Sequence, residues 1–212
     1  MRITSVVNNK KNKGSVTLCF DDDSTLTVSE EDYIRLSLYE KQEITPEELK
    51  SIREDISFNN AKSSALRYLL YKFRSCKEVR QKLEREGYSN TTIEEVLNEL
   101  IKLGYINDRI YASKYLHDRS KLKPKPKRIL RQELINKGID EEIIDELLGE
   151  WKIDEYALAG SMLKKKYGKY DMSDEKIKRK AYTYLLHKGF DSDLILGLIN
   201  KYSEKNNDYI GG

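Results

Sequence analysis

One spacing constrains this chain more than any other: Leu-x3-Gly-x5-Ile-x3-Leu/Ile occurs three times. The copies are Leu83, Gly87, Ile93 and Leu97; Leu134, Gly138, Ile144 and Leu148; and Leu185, Gly189, Ile195 and Ile199. Successive glycines are 51 residues apart in both intervals. A fixed period of that length marks a repeat array, built from small helical units that cannot bury an apolar face alone. The residue types say what each position does. The Leu is the last core contact of a helix, and the Gly is where the chain turns left-handed to end it. An apolar residue (Tyr88, Ile139, Phe190) closes the cap. A polar N-cap follows, from Ser89-to-Thr91, Asp140 or Asp191, and starts a helix whose Ile and Leu share a face.

Upstream of each copy lies a further helix with Ala and large apolar residues: Ala65-Leu66-x2-Leu69-Leu70, Ala112-x2-Tyr115-Leu116 and Ala159-x2-Met162-Leu163. Ser75-x2-Glu78 reads as a capping box for the middle helix of the first unit. The expected fold is mainly α, with three tandem three-helix repeats over 59–106, 107–152 and 153–203 forming an elongated, curved solenoid. A small α+β module precedes them over 1–58, and a disordered tail, 204–212, follows. The alternative is one compact bundle in which the repeat is an accident. A compact chain of this length has a radius of gyration near ~17 Å; small-angle scattering should return a clearly larger value for an extended array.

The front of the chain alternates at period two. Ile3-Thr4-Ser5-Val6-Val7, Ser15 to Phe20 and Ser24 to Val28 read as strands, with turns at residues 8–14 and at Asp21-Asp22-Asp23. Ser29 with three acids then opens one helix, and Thr45-Pro46-Glu47-Glu48 opens another with a capping box and Pro at the first helical position.

No constellation nominates an enzyme. There is no Gly-rich phosphate loop and no nucleophile paired with a base. Asp21-Asp22-Asp23 lack the spacing of a calcium loop, and His117 and His187 stand alone, so neither a metal nor a cofactor is expected. Cys19 and Cys76 read as reduced, half-buried thiols. No apolar run is long enough to span a membrane, and the first residues lack the apolar segment of a secretory signal, so the expected setting is the cytosol.

Charge is unevenly placed. Residues 1–60 hold eight Lys/Arg against twelve Asp/Glu, a net −4; residues 61–212 hold 31 against 24, a net +7. The sharpest signal runs through Arg119, Lys121, Lys123, Lys125, Lys127, Arg128 and Arg131, seven cations among thirteen residues with no acid. Pro124 and Pro126 break the helix before them, and Pro126 can open the next. Each cation that meets a phosphate of duplex DNA releases counterion, with a salt slope near ~0.9 per contact. A second cluster, Lys164, Lys165, Lys166 and Lys169, occupies the matching position of the third unit, followed by Lys176, Lys178, Arg179 and Lys180. An anionic partner surface is the functional reading and a solvated linker the bland one. Tyr68, Tyr71, Tyr105, Tyr111, Tyr115, Tyr182 and Tyr184 read as core or rim packing, with base stacking secondary.

Residues 104–138 resemble the most recognisable stretch of the RecX family of recombination regulators. The shared positions are Gly104-Tyr105-Ile106, Asp108, Tyr111-Ala112, Arg119, Arg128-Ile129, Leu134 and Lys137-Gly138. Ala65-Leu66-x2-Leu69 and Ser75-x2-Glu78-x3-Lys82-Leu83 are similar to the family's opening repeat. The family usually has a small Gly-containing turn before the Arg-Ile pair; Lys123-Pro124-Lys125-Pro126 stands there instead, making this loop stiffer and more basic. The resemblance implies a monomeric, non-enzymatic regulator of the RecA recombinase. It would bind along the groove of the RecA–DNA filament and chiefly inhibit filament extension, ATP hydrolysis, strand exchange and co-protease activity. Single- and double-stranded DNA would be bound weakly and without sequence preference. Under that implication Arg119 through Arg131 and the third-unit lysines face the groove, while Asp108 and Tyr111 position the middle unit. Reversing Lys125, Lys127, Arg128 and Arg131 to Glu should then weaken inhibition without unfolding the chain. A helical-repeat protein that binds DNA without RecA is the runner-up.

Overall fold

The computed structural model describes residues 1–8 and 14–207. The turn expected over residues 8–14 lies largely outside them, as does the tail from residue 208. The chain forms two compact units, Met1–Phe73 with Glu78–Ile106, and Arg74–Lys77 with the residues from Asn107 onward.

In the first unit, β1 (Ile3–Asn8), β2 (Ser15–Phe20) and β3 (Thr25–Ser29) form an antiparallel sheet in the order β1-β2-β3. The alternation does what period two predicts. Val16 pairs with Val28 and Leu18 with Leu26, and all four point to one face with Phe20. That face packs on Leu38, Ile44, Leu49 and Ile52. The three aspartates form a turn: Asp23 is left-handed at φ 61°, Asp22 accepts from the Ser24 N–H at 3.0 Å, and Asp21 accepts from the Arg2 N–H at 2.9 Å.

After α1 (Glu30–Arg35) and a one-turn 3-10 helix comes α2 (Pro46–Leu70), 25 residues long. It opens with the expected capping box, Glu48 N–H to Thr45 Oγ1 at 3.1 Å and Thr45 N–H to Glu48 Oε2 at 2.9 Å. The break expected after residue 58 falls inside this helix. Its first half covers the sheet through Leu49 and Ile52, and its second half turns Ala61 and Ala65 inward in the first repeat. There α3 (Cys76–Arg85) and α4 (Asn90–Lys102) bury Val79, Leu83, Ile93, Val96, Leu97 and Leu100. Each large apolar side chain so buried contributes about 1.5–3 kcal/mol.

The second unit carries two further helix triples: α5 (Asp108–Leu122), α6 (Lys127–Asn136), α7 (Glu141–Glu150), and α8 (Glu155–Tyr167), α9 (Glu175–His187), α10 (Ser192–Asn207). The end of α10 overruns the boundary expected at 203. Pro126 is the N-cap of α6 rather than its first residue; its carbonyl takes the Ile129 and Leu130 N–H groups at 3.0 and 3.1 Å.

The repeat motif is a helix stop built three times. Gly87, Gly138 and Gly189 have φ of 85°, 78° and 92°. The apolar residue after each donates its N–H to the motif Leu carbonyl, Tyr88 to Leu83, Ile139 to Leu134 and Phe190 to Leu185, at 3.3, 3.1 and 3.3 Å. The Leu thus serves twice, as a core contact and as the acceptor that closes the cap. N-cap Ser89, Asp140 and Asp191 then hold the next helix through Thr92, Glu142 and Asp193 N–H groups at 3.2, 2.8 and 2.9 Å.

A second period, invisible as a motif, lies in the second unit. The Cys76 N–H donates to Asp108 Oδ1 at 2.8 Å, and the Lys127 N–H donates to Glu155 Oε1 at 2.7 Å. Cys76 and Lys127 are 51 residues apart and each begins a middle helix; Asp108 and Glu155 each begin the first helix of the next triple. A helix N-terminus leaves its first N–H groups without intrahelical partners, and a carboxylate from the following helix triple fills that need. Replacing Glu155 by Ala should lower the unfolding free energy by about 1 kcal/mol in urea titration, and Asp108→Ala should do the same. No change in either variant would show that water satisfies these groups equally well.

Candidate functional site

The basic stretch covers the end of α5, the loop and the start of α6, and the structure engages most of it internally. Glu133, on the second turn of α6, is the hub. Its carboxylate accepts from the Tyr115 hydroxyl at 2.8 Å, pairs with Lys125 Nζ, and lies 3.6 Å from Arg119 Nε. Arg119 also donates to the Tyr115 hydroxyl at 3.0 Å and lies over that ring, 5.0 Å from its centroid. Burial works to raise the Glu133 carboxyl, but the hydrogen bonds from Lys125 and Tyr115 outweigh it and hold the group below the usual carboxylate range. Burial, reinforced by Glu133, pushes the Tyr115 phenol up.

The remaining cations divide. Arg131 pairs with Asp145 and lies 3.7 Å from Glu141, both on α7. Lys127 Nζ donates to the Leu148 carbonyl at 2.8 Å, and Arg128 Nε to the Gly189 carbonyl at 3.2 Å. Lys121 and Lys123 are exposed, and their side chains make no hydrogen bond or ion pair among the described residues. The stretch expected to face a partner as one block therefore leaves two cations free. Asp108, the cap for Cys76, is half-buried, and Tyr111 is a core residue stacked on Tyr115 at 6.3 Å.

In the third repeat Lys164, Lys165, Lys166 and Lys169 are all exposed. Three of them sit in the last turn of α8, where cations complement the negative end of the helix dipole. Lys166 Nζ lies 3.9 Å from the centroid of Tyr184. Lys164, Lys165 and Lys169 make no ion pair among the described residues. Lys164 borders a groove of about 550 Å³ between α8 and α10.

Tyr71 and Tyr105, read as packing residues, are 87% and 59% exposed. Sequence reasoning missed Glu133, because nothing marks one acid in a charged helix as the partner of a loop eight residues upstream. Among the described residues no group of three or more His, Cys, Asp or Glu side chains is placed to hold a metal ion, and no helix is long and apolar enough to cross a membrane.

Three family models match the chain, described as the first, second and third three-helix domains of RecX, over residues 61–100, 107–148 and 153–199. This chain belongs to the RecX family. Curated relatives named regulatory protein RecX match between 62% and 94% of its length. That of Clostridium beijerinckii is 33% identical over 204 residues, covering 94% of this chain and 95% of the relative. That of Clostridioides difficile is 32% identical over 201 residues, covering 94% of each. That of Chlorobium phaeobacteroides is 40% identical over 131 residues, covering 62% of this chain and 85% of the relative. A crystal structure of a regulatory protein RecX superposes with a TM-score of 0.69 at 25% identity, covering 94% of this chain and 98% of the other. RecX from Lactobacillus salivarius gives 0.58 at 29% identity, over 69% of this chain and 96% of the other. The three RecX domains coincide with the three helix triples, and the small sheet module lies outside them.

Proposed function

We propose that this RecX-family chain regulates the RecA recombinase, binding along the groove of the RecA–DNA filament. It chiefly inhibits filament extension, ATP hydrolysis, strand exchange and co-protease activity. The observation that carries the reading is the end-to-end match to relatives named regulatory protein RecX. The chain acts in the cytoplasm by binding, with no reaction of its own. Lys121, Lys123, Lys164, Lys165 and Lys169 support the mode: each is an exposed cation without an internal ion pair. Several such contacts, each weak, add to useful affinity when they engage together.

The test is RecA-driven ATP hydrolysis on single-stranded DNA, titrated with the chain. Wild type should inhibit in a dose-dependent way. A variant with Lys121→Glu, Lys123→Glu, Lys165→Glu and Lys169→Glu should fold and require roughly tenfold more protein, as expected for several lost phosphate contacts. These positions avoid Lys125, Lys127, Arg128 and Arg131, whose reversal would break bonds inside the second unit. Absence of inhibition by wild type would reject the proposal, and unchanged inhibition by the variant would reject this surface. Binding to DNA that is indifferent to RecA would identify a plain DNA-binding protein.

A further inference from the structure

The groove in the third repeat carries two exposed tyrosines, Tyr156 and Tyr170, outside the core cluster that the packing of its helices forms. Its walls include Tyr156, Tyr167, Tyr170 and Tyr202, with Lys164 and Lys201 among them and no acid among the described residues. Tyr167 is buried in the core, but Tyr156 and Tyr170 are 38% and 54% exposed. Tyr170 lies against Tyr167, 5.9 Å between centroids with the rings tilted by 57°, so its ring is held at the groove rather than swinging free. Lys201 Nζ lies 5.3 Å from the centroid of Tyr156, putting a cation and a ring together. Of the two acids adjacent in sequence to wall residues, Asp171 accepts from the Ser173 hydroxyl at 2.8 Å and Glu155 from the Lys127 N–H at 2.7 Å.

The walls are fixed before anything binds. The Tyr202 hydroxyl donates to the Gly160 carbonyl at 3.4 Å, and the Ser203 hydroxyl to the Met172 carbonyl at 2.9 Å, tying α10 to α8 and to the loop after it. Pre-set walls reduce the ordering cost of binding. A volume of about 550 Å³ falls within the range of sites that hold a small planar group.

We infer that this groove is a binding site for single-stranded nucleic acid, with one or two unstacked bases against Tyr156 and Tyr170 and the flanking phosphates on Lys164 and Lys201. Rings and lysines interleaved in one cleft match a strand, which presents flat faces and negative charges in alternation. A duplex keeps its bases stacked inside and would leave both rings idle. An acidic peptide would use the lysines and not the rings. The inference shares with the function proposed above only a nucleic-acid-bearing partner, and its test omits RecA.

The experiment is fluorescence anisotropy of a labelled oligothymidylate titrated with the full chain, beside a duplex of equal length. Wild type should bind the single strand more tightly. Tyr156→Ala with Tyr170→Ala should weaken that binding by at least about tenfold while changing duplex binding little. Tyr156→Phe with Tyr170→Phe should keep it, since the ring and not the hydroxyl stacks. Lys164→Ala with Lys201→Ala should lower the salt slope by about 1.4, at ~0.7 per contact on a single strand. Circular dichroism checks that each variant is folded, and Tyr39→Ala, an exposed tyrosine of the first unit, serves as the unaffected control. Unchanged affinity in the folded Tyr-to-Ala variant overturns the inference. So does equal loss for single strand and duplex, displacement of the strand by polyglutamate as readily as by unlabelled strand, or no oligonucleotide binding at all. Failure here with RecA inhibition intact would remove the groove and leave the regulatory reading standing.

Discussion

Gly189→Ala should cost about 2–5 kcal/mol of unfolding free energy, whereas Gly87→Ala should cost only about 1–2. The two glycines hold equivalent places in the repeat and nearly equal φ, 92° and 85°. An L-residue in that left-handed region is strained by roughly 1–2 kcal/mol, and both variants carry that penalty. They differ in surroundings. A Cβ on Gly87 meets nothing within 4 Å, whereas one on Gly189 collides with Ile129 Cγ1 and comes within 2.6 Å of its Cδ1. Ile129 is β-branched and lies in the first turn of α6, so it yields little, and overpacking adds about 1–3 kcal/mol. Urea denaturation of both variants measures the gap. Adding Ile129→Ala to Gly189→Ala should recover part of the excess as a favourable coupling. Equal costs at the two glycines would mean that α6 shifts freely against the α9–α10 turn.

Glu133→Gln should have two large consequences. Near neutral pH it should destabilise the second unit by about 1–2 kcal/mol, because Lys125 and Arg119 lose their carboxylate while Tyr115 keeps an acceptor. It should also change the acid limb of stability. The folded-state carboxyl is depressed, so its contribution is complete above the unfolded value near ~4.3 and fades as pH falls through the lower folded value. Wild type should therefore lose stability below about pH 4.3 more steeply than Glu133→Gln. Parallel acid limbs would show that this carboxylate contributes nothing beyond its unfolded state. The same substitution releases two cations, so affinity for anionic polymers should become more salt-dependent.

The parts of the fold set by neighbours in sequence were legible beforehand. Gly87, Gly138 and Gly189 announce their caps, Thr45 to Glu48 its box, and the Val16-Leu18-Phe20 alternation its buried face, because each signal is contained in a few consecutive residues. The carboxylates that reach back to two middle helices were not. Asp108 reaches Cys76 across 32 residues and Glu155 reaches Lys127 across 28, and the groups they satisfy are backbone N–H groups that any residue type carries. The internal pairing of the basic run failed to show for a related reason. A run of cations read without its three-dimensional neighbours looks unneutralised, yet Glu133, Asp145 and Glu141 stand on adjoining helices facing it. The tyrosines of the groove are spread from 156 to 202 and become one wall only when α8 and α10 pack.

The borrowed caps set the third triple apart from the first two. Lys178, 51 residues beyond Lys127, begins no helix: α9 starts a turn earlier, behind its own N-cap Asp174, and the Lys178 N–H is bonded to the Asp174 carbonyl at 3.0 Å. This middle helix is capped from within its own repeat, by the Asp174 side chain on the Lys176 N–H. Anyone lengthening this protein by gene duplication should copy the middle domain, whose α6 waits for a downstream carboxylate, because a duplicate placed after the last one would find that berth already taken.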